Sequence, residues 1–139
     1  MVSFKRIRLL TIDDIKKSTI VPAEVLANLT KLTRNMNKFQ LEWTDNMTVT
    51  SGYRTMEQHL AIYKKKGIID PKMIPIRSKH LSGLAVDILD LNQELYTFCV
   101  SKTGLELLEE CELWIEANTN KWVHFQCVPP SSGKRVFLP

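Results

Sequence analysis

The stretch that most constrains this chain is Ser78-Lys79-His80-Leu81-Ser82-Gly83-Leu84-Ala85-Val86-Asp87, which runs on into Ile88 and Leu89. Asp87 is a single acid inside an apolar, strand-like run. A carboxylate there is costly to bury alone, so it must meet a cation, a hydrogen-bond donor or a metal. His80 precedes it, with six residues between the two. A further imidazole, His124, lies far downstream in Lys121-Trp122-Val123-His124-Phe125-Gln126. Imidazole nitrogen and carboxylate oxygen are both ordinary zinc ligands. Two His and one carboxylate leave a fourth tetrahedral position open for water, as in catalytic rather than structural sites. Spacing alone also fits a plainer alternative, a half-buried strand whose Asp87 caps a turn.

The residues Ser78, His80, Gly83, Ala85 and Asp87, followed by Trp122 and His124, form a pattern S-x-H-x-x-G-x-A-x-D … W-x-H. This pattern resembles the zinc D,D-carboxypeptidase and endolysin family known as peptidase M15, and the zinc site of the hedgehog signalling domain, which shares that fold. Ser51-Gly52-Tyr53-Arg54 matches upstream in the expected order, so the resemblance runs from about Val21 to about Gln126. It implies one zinc ion per chain, held by His80, Asp87 and His124. It implies hydrolysis of peptidoglycan stem peptides, as a D-Ala–D-Ala carboxypeptidase or an L-Ala–D-Glu endopeptidase. Arg54 resembles the family's substrate-clamping arginine, whose guanidinium can hold a terminal carboxylate or a developing oxyanion. Its structural alternative is a salt bridge to Asp87 or Asp90. Ser78 is expected either to bind substrate backbone or to shape the turn.

A peptidase of this kind needs a general base. The family places an acid three residues before its last His, where this chain has Lys121. Glu116 is the substitute: it closes one strand of an expected hairpin whose other strand carries His124. Hedgehog-like members also set their Glu several residues ahead of the last His, after aromatic residues, as in Leu113-Trp114-Ile115-Glu116. The plainer alternative for Glu116 is a solvated hairpin carboxylate, and Glu112 is a poorer candidate base. The departure at Lys121 keeps a second reading open: a zinc-containing binding or structural module of the same fold that does not hydrolyse.

At 139 residues the chain is expected to be a single domain, with an N-terminal segment over 1–20 and an irregular tail over 129–139. Three cysteines without C-x-x-C spacing argue against a disulfide framework or thiolate zinc site, and read as small buried hydrophobes. A net charge of +4 and a pI near 9.0 suit an anionic polymer such as a bacterial cell wall. No basic stripe is interleaved with aromatics, so nucleic acid is not an expected partner. No apolar run reaches spanning length, so no membrane is expected either. The start, Met-Val-Ser-Phe-Lys-Arg, lacks the apolar core of a secretory signal. The expectation is therefore a monomer made in a cytoplasm and phage-derived, reaching the wall after release or as part of a virion.

Periodicity fills in the elements. Thr11 is expected to cap a short turn. Val25, Leu26, Leu29, Leu32, Met36 and Phe39 predict a helix of four to five turns from Pro22. Met47 to Thr50 reads as a strand, and Thr55 to Lys66 as a helix with Met56, Leu60 and Tyr63 inward and His59 at or near the surface. Lysines 64–66 complement that helix's dipole. A proline-rich loop, 68–77, leads to a strand over Leu84–Leu89. Asn92 is expected to cap a helix to Phe98, Gly104–Cys111 another, and Leu113–Glu116 with Trp122–Gln126 a hairpin. Trp43 and Trp114 read as core, and Trp122 as packing beside the site. The sum is an α+β domain, a small mainly antiparallel sheet with helices packed on one side, hedgehog/D-Ala-D-Ala-peptidase-like.

Overall fold

The computed structural model describes residues 6–139; the first five residues of the expected N-terminal segment lie outside it. The described residues form five helices and five strands, in the order α1 (Ile12–Lys16), α2 (Ala23–Trp43), β1 (Val49–Ser51), α3 (Met56–Lys65), β2 (Ala85–Leu89), α4 (Glu94–Val100), α5 (Lys102–Glu110), β3 (Trp114–Glu116), β4 (Trp122–Gln126) and β5 (Val136–Phe137). Short 3-10 turns at Pro71–Met73 and Lys79–Ser82 lie between α3 and β2. The strands form one sheet in the order β1-β2-β4-β3-β5, antiparallel except for the β3–β5 pair. The α+β class expected from the sequence is the class observed.

One face of the sheet is apolar and dry. Val86 and Ile88 of β2, Ile115 of β3, and Val123 and Phe125 of β4 are fully or almost fully buried. They alternate with residues turned to the opposite face, as a pleated strand requires. Against them lies α2, whose Leu29, Leu32, Met36 and Phe39 are completely enclosed. Phe39 meets Phe125 edge-on at 5.5 Å between ring centroids. Each such side chain contributes about 1.5–3 kcal/mol on burial, and these four form the main apolar contact between α2 and the sheet. The helix runs past the last periodic residue, Phe39, to Trp43, and Gln40 in this final turn is also buried; Thr33 and Asn35 are buried polar residues in its middle. Leu26, expected on the inner face, is exposed at the helix start.

Local signals account for the helix starts. Thr11 and Thr55 each form a capping box with the residue three positions on, Asp14 and Gln58. The cap on α4 differs from expectation: Asp90, not Asn92, accepts the N–H groups of Leu95 and Tyr96, at 3.0 and 2.9 Å. Helix α3 also differs. Met56 and Leu60 are exposed, and the residue it buries completely is His59. The His59 Nε2 lies 2.6 Å from the Pro75 carbonyl oxygen, which ties α3 to the loop before the 3-10 turn at Lys79. That partner is far away in sequence, so apolar periodicity could not expose it.

Two further corrections concern the end of the chain. The tail is not irregular throughout: Val136 and Phe137 add β5 to the free edge of β3. Trp114 is not core; it lies on the face opposite Ile115, half-buried beneath the Arg135 guanidinium at 4.4 Å. Trp43 does pack against the core, and Cys99, Cys111 and Cys127 are buried and free. Among the described residues, no helix is long and apolar enough to cross a membrane.

Candidate metal centre

The second face of the sheet floors an open cleft of about 1030 Å³. Register decides which side chains enter it. Asp87 of β2 pairs directly with His124 of β4, so both project to the same face. The β3–β4 register pairs Ile115 with Phe125; one step on, it sets Glu116 across from His124. The predicted hairpin thus brings the predicted base beside the predicted ligand. His80 arrives from outside the sheet, on the 3-10 turn that ends at Gly83. Gly83 has φ +74°, and a Cβ there would crowd Val25 and Leu29 of α2, so glycine suits the position on both counts.

Donor atoms of His80, Asp87 and His124 all lie within 4.8 Å of one another, and this group could hold a metal ion. Asp87 Oδ1 is 3.3 Å from His80 Nε2 and 2.9 Å from His124 Nδ1. The remaining nitrogens are held by the protein. His80 Nδ1 lies 2.9 Å from the Gly52 carbonyl oxygen. His124 Nε2 lies 3.0 Å from Gln126 Oε1, and the Gln126 amide is oriented by donating to the Val128 carbonyl. Each imidazole therefore faces oxygen acceptors from both of its nitrogens. A neutral ring carries one N–H and can satisfy only one of them. A divalent cation accepted by His80 Nε2, His124 Nδ1 and Asp87 Oδ1 removes the mismatch, and leaves each other nitrogen as a donor to a fixed outer partner. That is the usual arrangement around ligating histidines, so the residues present fit a metal.

Electrostatics follow this geometry. Burial opposes ionisation of Asp87, but hydrogen bonds and charge from His124 and His80 outweigh it and hold the carboxyl down at about 2. Burial would lower His124, yet Asp87, helped by Gln126 and Glu116, raises it. Glu116 is half-buried. Burial pushes its carboxyl up and Asp87 adds to that push, while His124 and His80 pull the other way. A carboxylate raised in this manner takes up a proton more readily than a solvated one, as a general base requires.

Arg54 also lines the cleft, half-buried, and burial draws its guanidinium below the ordinary value. Among the described residues it forms no ion pair with Asp87 or Asp90, and its Nε is buried without a partner. Its guanidinium thus borders the cleft without being committed to either carboxylate. Ser78 both lines the cleft and shapes the turn: its hydroxyl accepts the His80 N–H at 3.4 Å. Trp122 lies on the cleft rim, 40% exposed. Lys121 is exposed, with φ +71°, and borders no part of the cleft; Glu112 lies outside it too.

Three contributors were absent from the sequence reading: Gln126 as the outer partner of His124, the Gly52 carbonyl as that of His80, and Phe137, whose ring stands edge-on to His124 at 6.1 Å. Gln126 shares the alternation of His124, and that was the available signal. The other two depend on contacts between distant segments.

No family model matches the sequence, and no curated protein matches it. The crystal structure of Serratia marcescens L-Ala D-Glu endopeptidase ChiX is similar to this chain, with 20% sequence identity, 76% of this chain and 87% of that chain covered, and a TM-score of 0.48. Similarity at that level assigns no residue a role, and the roles that follow rest on this chain's own side chains.

Proposed function

We propose that this chain is a zinc-dependent peptidase acting on peptidoglycan stem peptides, as a D-Ala–D-Ala carboxypeptidase or an L-Ala–D-Glu endopeptidase. The observation that carries the proposal is the pairing of each imidazole's second nitrogen with a fixed acceptor, which leaves three donor atoms converging in an open cleft beside Glu116. The substrate class is supported by the motif resemblance of Ser78 to Asp87 and of Trp122 with His124. Zinc held by His80, Asp87 and His124 would supply Lewis acidity toward water and a peptide carbonyl. Glu116 accepts the proton of the attacking water and returns it to the leaving amine. Arg54 orients the peptide through its guanidinium and stabilises charge developing on the carbonyl oxygen. Ser78 holds the His80 turn in place.

The first test is mass spectrometry of stem peptides incubated with the zinc-loaded chain, beside a chelator-treated control. Chelator-sensitive loss of the C-terminal D-Ala identifies a carboxypeptidase; a cut after the N-terminal L-Ala, leaving a peptide that begins with D-Glu, identifies an endopeptidase. His80→Ala and Asp87→Ala should each lose metal and activity together, and activity surviving either change overturns the assignment. Glu116→Gln should retain zinc while turnover falls by roughly 100-fold or more. A wild type that binds zinc stoichiometrically and cleaves no stem peptide would instead support the non-hydrolytic binding module.

A further inference from the structure

The positive charge of this chain is concentrated in one segment. Residues 64–79 carry Lys64, Lys65, Lys66, Lys72, Arg77 and Lys79 against a single acid, Asp70, a net of +5; the whole chain is +4, which leaves the rest at −1. Among the described residues, none of the six cations is in an ion pair. The same segment turns three large apolar side chains to solvent: Ile69 is 76% exposed, Met73 67% and Ile76 66%. The dipole of α3 accounts for the lysines at its end. It does not account for Lys72, Arg77 and Lys79, or for apolar groups among them.

The apolar groups are presented by a segment that is held. Asp70 caps the Pro71–Met73 turn through the Lys72 N–H at 3.0 Å. Ile74 is buried, and the Pro75 carbonyl is fixed by His59. Ile69, Met73 and Ile76 alternate with those anchors and face outward. A water-soluble polyanion would answer the charges and leave the apolar side chains in water. A bilayer with anionic headgroups answers both, with phosphates at the cations and the apolar side chains in the headgroup–acyl boundary. We propose that residues 64–79 dock onto an anionic lipid surface, with Ile69, Met73 and Ile76 inserted between headgroups. Lys66, Arg77 and Lys79 also line the cleft. Docking therefore places the cleft mouth beside the bilayer, while Lys64, Lys65 and Lys72 are left for lipid alone.

The test is sedimentation of the full chain with phosphatidylcholine vesicles, with and without phosphatidylglycerol, at low and high salt. Binding is expected only with phosphatidylglycerol, and is expected to weaken with salt. The charge variant Lys64→Gln/Lys65→Gln/Lys72→Gln should bind about 100-fold more weakly. The apolar variant Ile69→Ser/Met73→Ser/Ile76→Ser should bind about tenfold more weakly or worse. Neither set of residues lines the cleft, so both variants should keep the wild-type circular dichroism and stem-peptide turnover in vesicle-free buffer. Failure to sediment with anionic vesicles overturns the proposal. So does binding that the apolar variant leaves unchanged, or equal binding of wild type and apolar variant to soluble polyglutamate, which would assign the charge to a polymer. Vesicle binding can be read whether or not the chain proves to be a peptidase.

Discussion

Gln126 does for His124 what no ligand can do for itself. Its amide is fixed by the Val128 carbonyl, so its oxygen is the only group it can offer the imidazole. Gln126→Leu removes that oxygen while keeping the volume of the side chain close to the original. The Nε2–H is then buried without an acceptor, and the ring is free to turn. Zinc affinity should fall by about 10–100-fold, measured by competition with a chromophoric chelator. Gln126→Glu, which keeps an acceptor, should retain far more of it. An unchanged affinity in the Leu variant would show that the ring is positioned by packing against Phe137 instead.

Among the elements, α1 is small but sits directly behind the centre. The Tyr53 N–H donates to the Ile15 carbonyl at 2.9 Å, and a Cβ on Gly52 would run into that same carbonyl. The Gly52 carbonyl in turn meets His80. Gly52→Ala must therefore push α1 and the strand end apart. A loss of about 2–4 kcal/mol is expected in urea unfolding, along with weaker metal binding. The helix start brings a pH dependence of its own. The Arg8 guanidinium, with the Thr11 amide, holds the Asp14 carboxyl below its ordinary value. A depressed carboxylate contributes stability above its unfolded-state value, near 3.9, and that contribution is lost as pH falls through the folded value. Asp14→Asn should lower the urea midpoint slightly at pH 7 and not at all well below pH 3. A deficit that is the same at both pH values would assign the effect to the cap geometry alone. Strand β5 and the burial of His59 escaped the sequence for one reason. A two-residue strand has no period, and a helix whose buried residue is a histidine has a misleading one. Both are defined by partners distant in sequence, the β3 edge and the Pro75 carbonyl. The hairpin and its candidate ligand, His124, were legible because alternation alone settles which side chains of β4 share a face.

For the molecule as a whole, the metal should act as a folding ligand. The candidate donor atoms are assembled only in the folded chain, so a chelator should lower the melting temperature, and added zinc should raise it in proportion to the logarithm of its concentration. A melting temperature indifferent to both would count against the centre. The direct pairing of Asp87 with His124 carries one more consequence. A slip of one residue between β2 and β4 would turn His124 toward the helices and bring Val123 or Phe125 into the cleft. Such a misaligned sheet could keep much of its hydrogen bonding, but it could not capture the ion. Metal uptake at this centre would therefore proofread strand alignment, retaining correctly zipped molecules and leaving the others free to reopen.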